Sequence, residues 1–216
     1  MTVKDKCFIL QRFPVGDFSL LTKCYCKAVG RRDFLAVDYF KSKSIPIGLL
    51  EPFNIVELHS MEKNGVLYLI DGKILHNITG KVVKNLDRYF FLSKISNTIL
   101  KFIKEPDKDI FELLTASLVI ENFFSFNLIR FWLNLATILG FSIENLNRPG
   151  WINLMTLKKC NPNEVYYPYC IYLSPKEFSL IKRIENPQTK PFTVSVNLLN
   201  KLENFFFKFF NHQTRQ

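Results

Sequence analysis

Residues 8–22 read Phe-Ile-Leu-Gln-Arg-Phe-Pro-Val-Gly-Asp-Phe-Ser-Leu-Leu-Thr, and they begin a run of short β-rich stretches that continues to Leu58. Gly, Pro and clustered basic residues separate these stretches, as in Gly30-Arg31-Arg32 and in Lys41-Ser42-Lys43-Ser44. Strand-forming runs divided by turn residues at short intervals are typical of a small β-barrel. The basic clusters between the runs predict a cationic rim on that barrel.

Five strands are predicted before residue 77, because the runs are rich in β-branched, aromatic or alternating residues. The clearest turn is Lys63-Asn64-Gly65, since Asn-Gly supplies the positive φ values of a two-residue hairpin. Five strands in about seventy residues is the size of an OB-fold, and an SH3-like barrel fits the pattern nearly as well. The predicted strands are Cys7–Phe13, Phe18–Cys26, Arg32–Phe40, Glu51–Met61 and Val66–Leu75.

From about Asn85 the apolar residues recur at helical spacing instead. The sequence therefore predicts an α+β protein, with an OB-fold domain over residues 1–80 and an α-helical domain over residues 81–216. Residues 145–175, rich in Asn, Pro, Gly and aromatic side chains, are predicted to form an irregular insertion in the helical domain. The predicted helices begin near Asn85 and end before Pro106, then cover Asp107–Ile120, Phe123–Leu139, Pro175–Ile184 and Ser195–Phe210.

The charge of the chain favours a polyanionic partner. Its 216 residues carry a formal net charge of +10, which points to nucleic acid or to an acidic membrane surface. A generally basic protein without such a partner is the alternative. The net charge is +3 over residues 1–80 and +7 over residues 81–216. We therefore expect a binding surface that extends from the barrel over the helical domain.

The cysteines and the apolar segments bear on the cellular compartment. Five cysteines are an odd number, and no secretory signal precedes the first strand, so we expect no disulfide framework. The most apolar helix, residues 123–141, contains Arg130 and Asn134 and is too polar for a lipid span. These features predict a cytoplasmic protein, associated with the nucleoid if its polyanion is DNA.

The ordered set of segments resembles the RecO family of bacterial recombination mediators. The similarity begins with Phe-Pro-Val-Gly-Asp-Phe-Ser-Leu-Leu-Thr at residues 13–22 and continues through Gly30-Arg31 and residues 41–44. It is most specific at Leu50-Glu51-Pro52-Phe53-Asn54, and it follows the family's middle domain through Leu139-Gly140-Phe141. It covers residues 6–145 and is weak beyond them.

The resemblance implies a role in DNA repair and recombination through the RecFOR pathway. RecO-like proteins bind single- and double-stranded DNA, anneal complementary strands and load RecA together with RecR and, in some lineages, RecF. Family members also bind the acidic C-terminal tail of single-strand-binding protein on the helical domain. The chain has no glycine-rich phosphate loop, nucleophile signature or spaced carboxylate cluster, so we expect no enzymatic activity.

One family feature is missing from the sequence. Many RecO-like proteins carry a four-cysteine zinc site after the helix that ends here near Phe141. Only Cys160 and Cys170 lie in that region, and no histidine is nearby, whereas structural zinc takes four such ligands. We therefore predict that zinc has been lost, that no other cofactor is bound, and that aromatic packing holds this region together.

The candidate site residues are basic. In an OB-fold, cations beside the strand-2 and strand-3 face follow the phosphate backbone, and Phe34 and Tyr39 are candidates to stack on bases. An ordinary solvated rim is the alternative for the cations, and Phe34 is expected in the core rather than on the binding face, because strand aromatics usually point inward. The predicted DNA-binding residues are Arg31, Arg32, Lys41 and Lys43 on the barrel, and Lys158, Lys159, Lys182 and Arg183 on the helical domain.

Partner binding has its own candidates. Arg130, with Arg88 behind it, is predicted to hold the carboxylate of the single-strand-binding protein tail, unless Arg130 pairs with Glu121 instead. A protein-interaction module that holds this protein or RecR, with only weak DNA binding, is the alternative function. The Phe-rich C-terminus predicts a buried helix, with a membrane-surface helix as the other interpretation because Lys201, Lys208 and Arg215 accompany the rings.

Overall fold

The computed structural model describes residues 2–41, 45–141, 146, 148–154, 158–160 and 170–213. In these residues strands come first and helices dominate afterwards. The elements are β1 (Thr2–Val15), β2 (Ser19–Cys26), β3 (Gly30–Ala36), β4 (Ile55–Lys63), β5 (Val66–His76), α1 (Thr79–Val83), α2 (Leu86–Phe102), α3 (Lys108–Ser117), α4 (Phe124–Ile138), β6 (Gly150–Asn153), β7 (Cys170–Leu173), α5 (Pro175–Glu185) and α6 (Val196–Gln213).

The first five strands close into a barrel with the order β1-β2-β3-β5-β4. Strands β3 and β5 pair in parallel, and the other neighbours pair antiparallel. The long strand β1 pairs with β4 through its first half and with β2 through its second half, and its register against β2 shifts between Ile9 and Gln11. Such a bulge bends a strand and allows it to border both sides of a closed sheet. The predicted OB-fold followed by helices is confirmed.

The barrel core is built from alternating inward side chains of all five strands. Phe34, at 1% exposed, and Tyr39 both belong to this core, so neither ring is available to stack on bases. The predicted third strand was too long, because the chain turns at residues 37–41, where Asp38 has a φ of +51°. The predicted hairpin turn at Asn64-Gly65 is confirmed, since both residues have positive φ.

The chain forms two compact units, unit 1 over Met1–Ile120 and unit 2 over Glu121–Gln216. The change from strands to helices lies between His76 and Thr79, next to the predicted division at residue 80. The units nevertheless divide forty residues later, because α2 and α3 pack against β1 of the barrel. Apolar periodicity finds where helices begin, but it does not tell against which element a helix packs.

Unit 2 packs α4, α5 and α6 around an aromatic core. The ring of Trp132 on α4 lies 5.4 Å from that of Phe206, and Phe205 and Phe209 stack one turn apart along α6. The predicted buried C-terminal helix is thus confirmed. The prediction of an irregular insertion was only partly right, because β6 and β7 pair antiparallel within it. No helix among the described residues has the length and apolarity needed to cross a membrane.

The cysteines correct the expectation of no disulfides. Cys7 and Cys26 form one disulfide, Cys160 and Cys170 form another, and Cys24 is a buried free thiol. Cys7 lies directly opposite Cys26 in the β1–β2 register, a pairing that sequence spacing does not reveal. Among the described residues no group of three or more metal-binding side chains comes together. The Cys160–Cys170 disulfide thus links the region where the resemblance implied zinc.

Candidate nucleic-acid interface

The outer surface of β2 and β3, called here the β2–β3 ribbon, carries three cross-strand pairs. From one end to the other these are Tyr25–Arg31, Lys23–Asp33 and Leu21–Leu35. The corresponding face binds oligonucleotides in OB-folds. Its two ends lie in different surroundings, which decides which of the predicted cations are available to a ligand.

One end, called the covered end, consists of Tyr25, Gly30 and Arg31 and lies under the segment that joins α2 to α3. The Arg31 backbone N–H donates to the Lys104 carbonyl oxygen at 2.8 Å, and the Arg31 guanidinium group donates to the carbonyl oxygen of Leu100. The last carbonyls of a helix lack intrahelical partners, so Arg31 satisfies one at the end of α2. Arg31 is therefore engaged by the fold rather than presented to solvent as predicted.

Gly30 allows this close approach. A Cβ atom at Gly30 would lie 2.5 Å from the Lys104 carbonyl oxygen and 2.6 Å from the Pro106 nitrogen, and the φ of Gly30 is +72°. Tyr25 completes the contact, because its hydroxyl donates to the Glu105 carbonyl oxygen and accepts from the Asp107 N–H, each at 2.9 Å. Burial raises the pKa of Tyr25 to about 12, although the hydrogen bond from Asp107 opposes the shift.

The middle of the ribbon is electrically balanced. Lys23 and Asp33 form an ion pair with 2.7 Å between Nζ and Oδ2. The next residue, Arg32, pairs with the buried Cys24 and so alternates to the opposite face of β3, but its side chain is exposed and donates to the Arg31 carbonyl oxygen at 2.9 Å. Arg32 takes part in no ion pair within the described residues, so its charge is available to a phosphate group.

The other end of the ribbon, called the open end, consists of Phe18, Phe40 and Lys41. The Phe40 N–H donates to the Phe18 carbonyl oxygen at 3.2 Å, which joins the β1–β2 loop to the turn after β3. The Lys41 ammonium group lies 3.3 Å from the centroid of the Phe18 ring, and the Phe40 side chain is 60% exposed. Exposed rings beside a cation without an ion pair among the described residues suit a strand with stacked bases and phosphates.

The exposed rings near the ribbon are not the two stacking candidates, and the expected core position of Phe34 is confirmed. Phe13, Phe18 and Phe40 are exposed, whereas Phe34 and Tyr39 are buried. The available signal was position, because Phe18 follows Gly16-Asp17 in the turn and Phe13 immediately precedes Pro14. Aromatic residues beside turns point outward more readily than those inside strands. Lys43 lies outside the described residues.

The predicted cations of unit 2 differ in availability. Lys182 forms an ion pair with Glu185 at 3.0 Å, and the Arg183 guanidinium carbon lies 4.2 Å from the centroid of the Phe192 ring. Lys158 and Lys159 are exposed in the short segment before Cys160. Arg183 is exposed as well, so Lys158, Lys159 and Arg183 are more accessible to solvent than Lys182, which is partly buried.

The two predicted partner-binding arginines belong to different compact units. Arg130 is in unit 2, and its guanidinium group donates to the carbonyl oxygens of Ile184, Asn186 and Thr189 at 3.3–3.5 Å, at the end of α5. Arg88 is in unit 1 at 5% exposed, and it donates to the Leu118 carbonyl oxygen. Both side chains therefore satisfy carbonyl groups near helix ends.

A cleft lies between the barrel and the helices that follow it within unit 1. At its centre Arg12 and Glu51 form an ion pair of 2.8 Å, and Phe53 adopts a left-handed φ of +71°. Its more apolar part, called the apolar cleft, has a volume of about 420 Å³ and is lined by Arg12, Glu51, Pro52, Phe53, Thr79, Val82, Val83, Leu86 and Tyr89. The segment Leu50-Glu51-Pro52-Phe53-Asn54, on which the resemblance most depends, thus contributes one wall.

No family model matches the chain. A protein of Aquifex aeolicus (strain VF5), described only as an uncharacterized protein, is 29% identical over 145 residues. The aligned region covers 64% of this chain and 65% of that protein, which is less than two thirds of its length. The relative thus comes without a described activity, and membership of the RecO family stays a prediction.

Asn54 anchors the wall that carries Phe53. The buried Asn54 amide group donates to the Gly48 carbonyl oxygen at 2.9 Å and accepts from the Ile78 N–H at 3.1 Å. It therefore ties the loop before β4 to the start of α1. A buried side chain with both donor and acceptor satisfied holds its surroundings in one arrangement. These hydrogen bonds therefore fix the position of the cleft wall within unit 1.

Proposed function

We propose that this chain is a RecO-like recombination mediator that binds single- and double-stranded DNA, anneals complementary strands and assists RecA loading together with RecR. One observation carries the proposal, namely the open end of a closed OB barrel, where exposed aromatic rings lie beside Lys41. The net charge of +10 and the exposed Arg32 support it. The resemblance in sequence supplies the specific partners, with RecF among them in some lineages.

The physical basis of annealing is charge neutralisation without a chemical step. Two single strands repel each other through their phosphates, and lysine and arginine side chains release counterions when they bind those phosphates. Rings at the open end would hold bases of one strand by stacking, at about 1–3 kcal/mol per base. The cations of both units would lower the repulsion of the second strand, so that complementary bases meet and pair.

A fluorescence annealing assay with complementary oligonucleotides tests the proposal. The double variant Arg32→Gln, Lys41→Gln should anneal more slowly and bind single strands more weakly. The plot of log affinity against log salt should flatten by about 0.7 for each phosphate that the variant no longer binds. Lys182→Gln is the matched control, because Lys182 already has a carboxylate partner in Glu185. Wild-type protein that neither binds nor anneals oligonucleotides would refute the proposal.

A second candidate function is a protein-interaction module for single-strand-binding protein or RecR. The apolar cleft favours it, since Val83 and Leu86 in its lining are largely exposed. Exposed apolar surface of this kind marks interaction sites. The function would be favoured if an acidic peptide ending in Phe bound tightly while oligonucleotides bound weakly. Isothermal titration of the full chain with each ligand separates the two functions.

A further inference from the structure

The cleft of unit 1 has a second part, whose lining is more polar than that of the apolar cleft. This part, called the side chamber, has a volume of about 310 Å³, which is at the lower end of the range for small-ligand pockets. Its lining has a polar part and an aromatic part. Its lining residues include Gln11, Ser93, Ser96 and Asn97, together with Phe13, Phe53 and Tyr89.

The polar side contains a hydroxyl group that the fold leaves unsatisfied. Ser96 is 1% exposed, and its Oγ has no hydrogen-bond partner. A buried hydroxyl without a partner costs about 1–3 kcal/mol, a cost that a ligand forming a hydrogen bond to it would remove. Next to it, the Gln11 amide group donates to the Asn97 amide oxygen at 3.0 Å. This pair leaves further amide donors and acceptors for a second partner.

The aromatic side is held in position by a strained residue. Phe53 has a φ of +71°, a region that a bulky side chain rarely adopts and that costs about 1–3 kcal/mol. Its N–H donates to the Ile9 carbonyl oxygen at 2.8 Å, and its ring meets that of Tyr89 edge to face at 5.9 Å. Phe53 is itself buried and holds Tyr89 in place, so the rings that a base could reach are those of Tyr89 and Phe13, both of which are exposed.

We propose that the side chamber binds a single nucleobase of a DNA strand that crosses the β2–β3 ribbon. The inference rests on the proposed function and adds a subsite to it. Aromatic rings suit the faces of a base, whereas amides and an unsatisfied hydroxyl suit its hydrogen-bonding edge. The chamber also borders the ribbon, because its lining residue Phe13 lies opposite Leu21 in the β1–β2 register, and Leu21 lies opposite Leu35.

A nucleobase fits the chamber better than a peptide that ends in a carboxylate. Arg12 is the cation in the lining of the chamber, and its guanidinium group already forms an ion pair with Glu51 at 2.8 Å. A terminal carboxylate would therefore have to displace Glu51. A base is neutral and brings both donors and acceptors, which match the amide and hydroxyl groups of Gln11, Ser96 and Asn97.

The test compares two neighbouring aromatic residues on α2 in the full chain. Tyr89 lines the chamber, whereas Phe90 does not, and both side chains are about half exposed, at 46% and 53%. We expect Tyr89→Ala to weaken binding of an oligothymidylate about tenfold, within the range for losing one stacked base, and Phe90→Ala to change it less than twofold. Asn97→Leu should weaken binding as well, since it removes an edge partner. Fluorescence anisotropy measures the affinities.

Two further measurements tie the effect to the base. Tyr89→Ala and wild type should bind an abasic oligonucleotide equally, because no base is left to enter the chamber. A 5-iodouracil oligonucleotide, irradiated on wild-type protein, should form cross-links to peptides that contain Phe13 or Tyr89, as identified by mass spectrometry. Circular dichroism confirms that each variant is folded.

The outcomes separate the subsite from the general function. If oligothymidylate binds wild type but Tyr89→Ala and Asn97→Leu bind it equally well, and cross-links form only at Phe18 or Phe40, the side chamber is not a base site while DNA binding stands. If those variants lose instead the binding of an acidic peptide ending in Phe, the cleft is a peptide site. If wild type binds no oligonucleotide, both the subsite and the proposed function are wrong.

Discussion

The covered end and the open end of the β2–β3 ribbon both pair an aromatic ring with a cation. At the covered end Tyr25 and Arg31 are hydrogen bonded to the segment between α2 and α3. At the open end Phe18 and Lys41 contact each other and stay accessible. Similar residue types thus stabilise the packing of helices on the barrel at one end and form a candidate DNA surface at the other.

The backbone groups around a cluster of cations decide what each cation does. Arg31 and Arg32 are adjacent in the sequence, yet Arg31 binds a helix-end carbonyl whereas Arg32 remains exposed. The helix end nearest to Arg31 belongs to a segment about seventy positions later in the chain, since Leu100 accepts its hydrogen bond. Charge counts along the sequence therefore overstate the cations available to DNA.

Adding one methyl group at the covered end should destabilise the protein most. Gly30→Ala places a Cβ atom 2.5 Å from the Lys104 carbonyl oxygen at a φ of +72°. We expect a loss of about 3 kcal/mol or more in the stability of unit 1, from backbone overlap added to strain. Hydrogen-exchange mass spectrometry measures it, because both tryptophans, Trp132 and Trp151, lie in unit 2 and do not report on unit 1.

A second glycine separates the overlap from the strain. Gly16 also has a positive φ, +60°, but a Cβ atom there meets nothing within 4 Å. Gly16→Ala should therefore cost only about 1 kcal/mol, the strain alone. Equal losses in the two variants would mean that the segment over Gly30 yields easily, and the covered end would then not be a fixed contact.

The next effect distinguishes the two adjacent arginines. Arg31→Gln removes a charged donor from the Leu100 carbonyl oxygen and should lower the stability of unit 1 by about 1.5–3 kcal/mol. Arg32→Gln changes an exposed side chain and should stay within about 0.5 kcal/mol, while it weakens DNA binding. Urea unfolding followed by hydrogen exchange measures stability, and anisotropy measures affinity. The reverse pattern would make Arg31 the DNA contact and Arg32 the structural residue.

The barrel was predictable because its signals are local. Alternating runs and the Asn64-Gly65 turn are each decided within a few residues, so five strands and their order of appearance follow from the sequence. Contacts of long range were not predictable. The Cys7–Cys26 pairing depends on register, and the packing of α2 on the barrel depends on a surface that periodicity does not identify.

The candidate site was predictable only in part, for the same reason. The basic clusters beside β3 correctly indicated Arg32 and Lys41 as exposed cations. They also suggested Arg31, but its guanidinium group is hydrogen bonded to Leu100 in α2. The sequence placed Phe34 in the core correctly, because alternation along β3 turns this ring inward, but it offered Tyr39 for stacking, and that ring is buried. The cleft of unit 1 could not be seen, because its walls come from β1, the loop before β4 and α2.

The smallest effect, a pH dependence, tests whether the covered end stays packed when its tyrosine ionises. The folded chain holds the phenolic proton of Tyr25 more tightly than the unfolded chain does, since burial raises the pKa to about 12 from an ordinary value of 10. This contribution to stability is complete below pH 10 and is lost as the pH rises through 12. Tyr25→Phe should be less stable than wild type at pH 8 by about 1 kcal/mol, because it lacks the hydrogen bonds of the hydroxyl. Because the variant has no phenolic proton, this difference in stability should shrink as the pH rises above 10. Urea midpoints of both proteins across this range measure the difference. A constant difference would mean that the Tyr25 hydroxyl reaches water, and the covered end would then be as open as the end that carries Lys41.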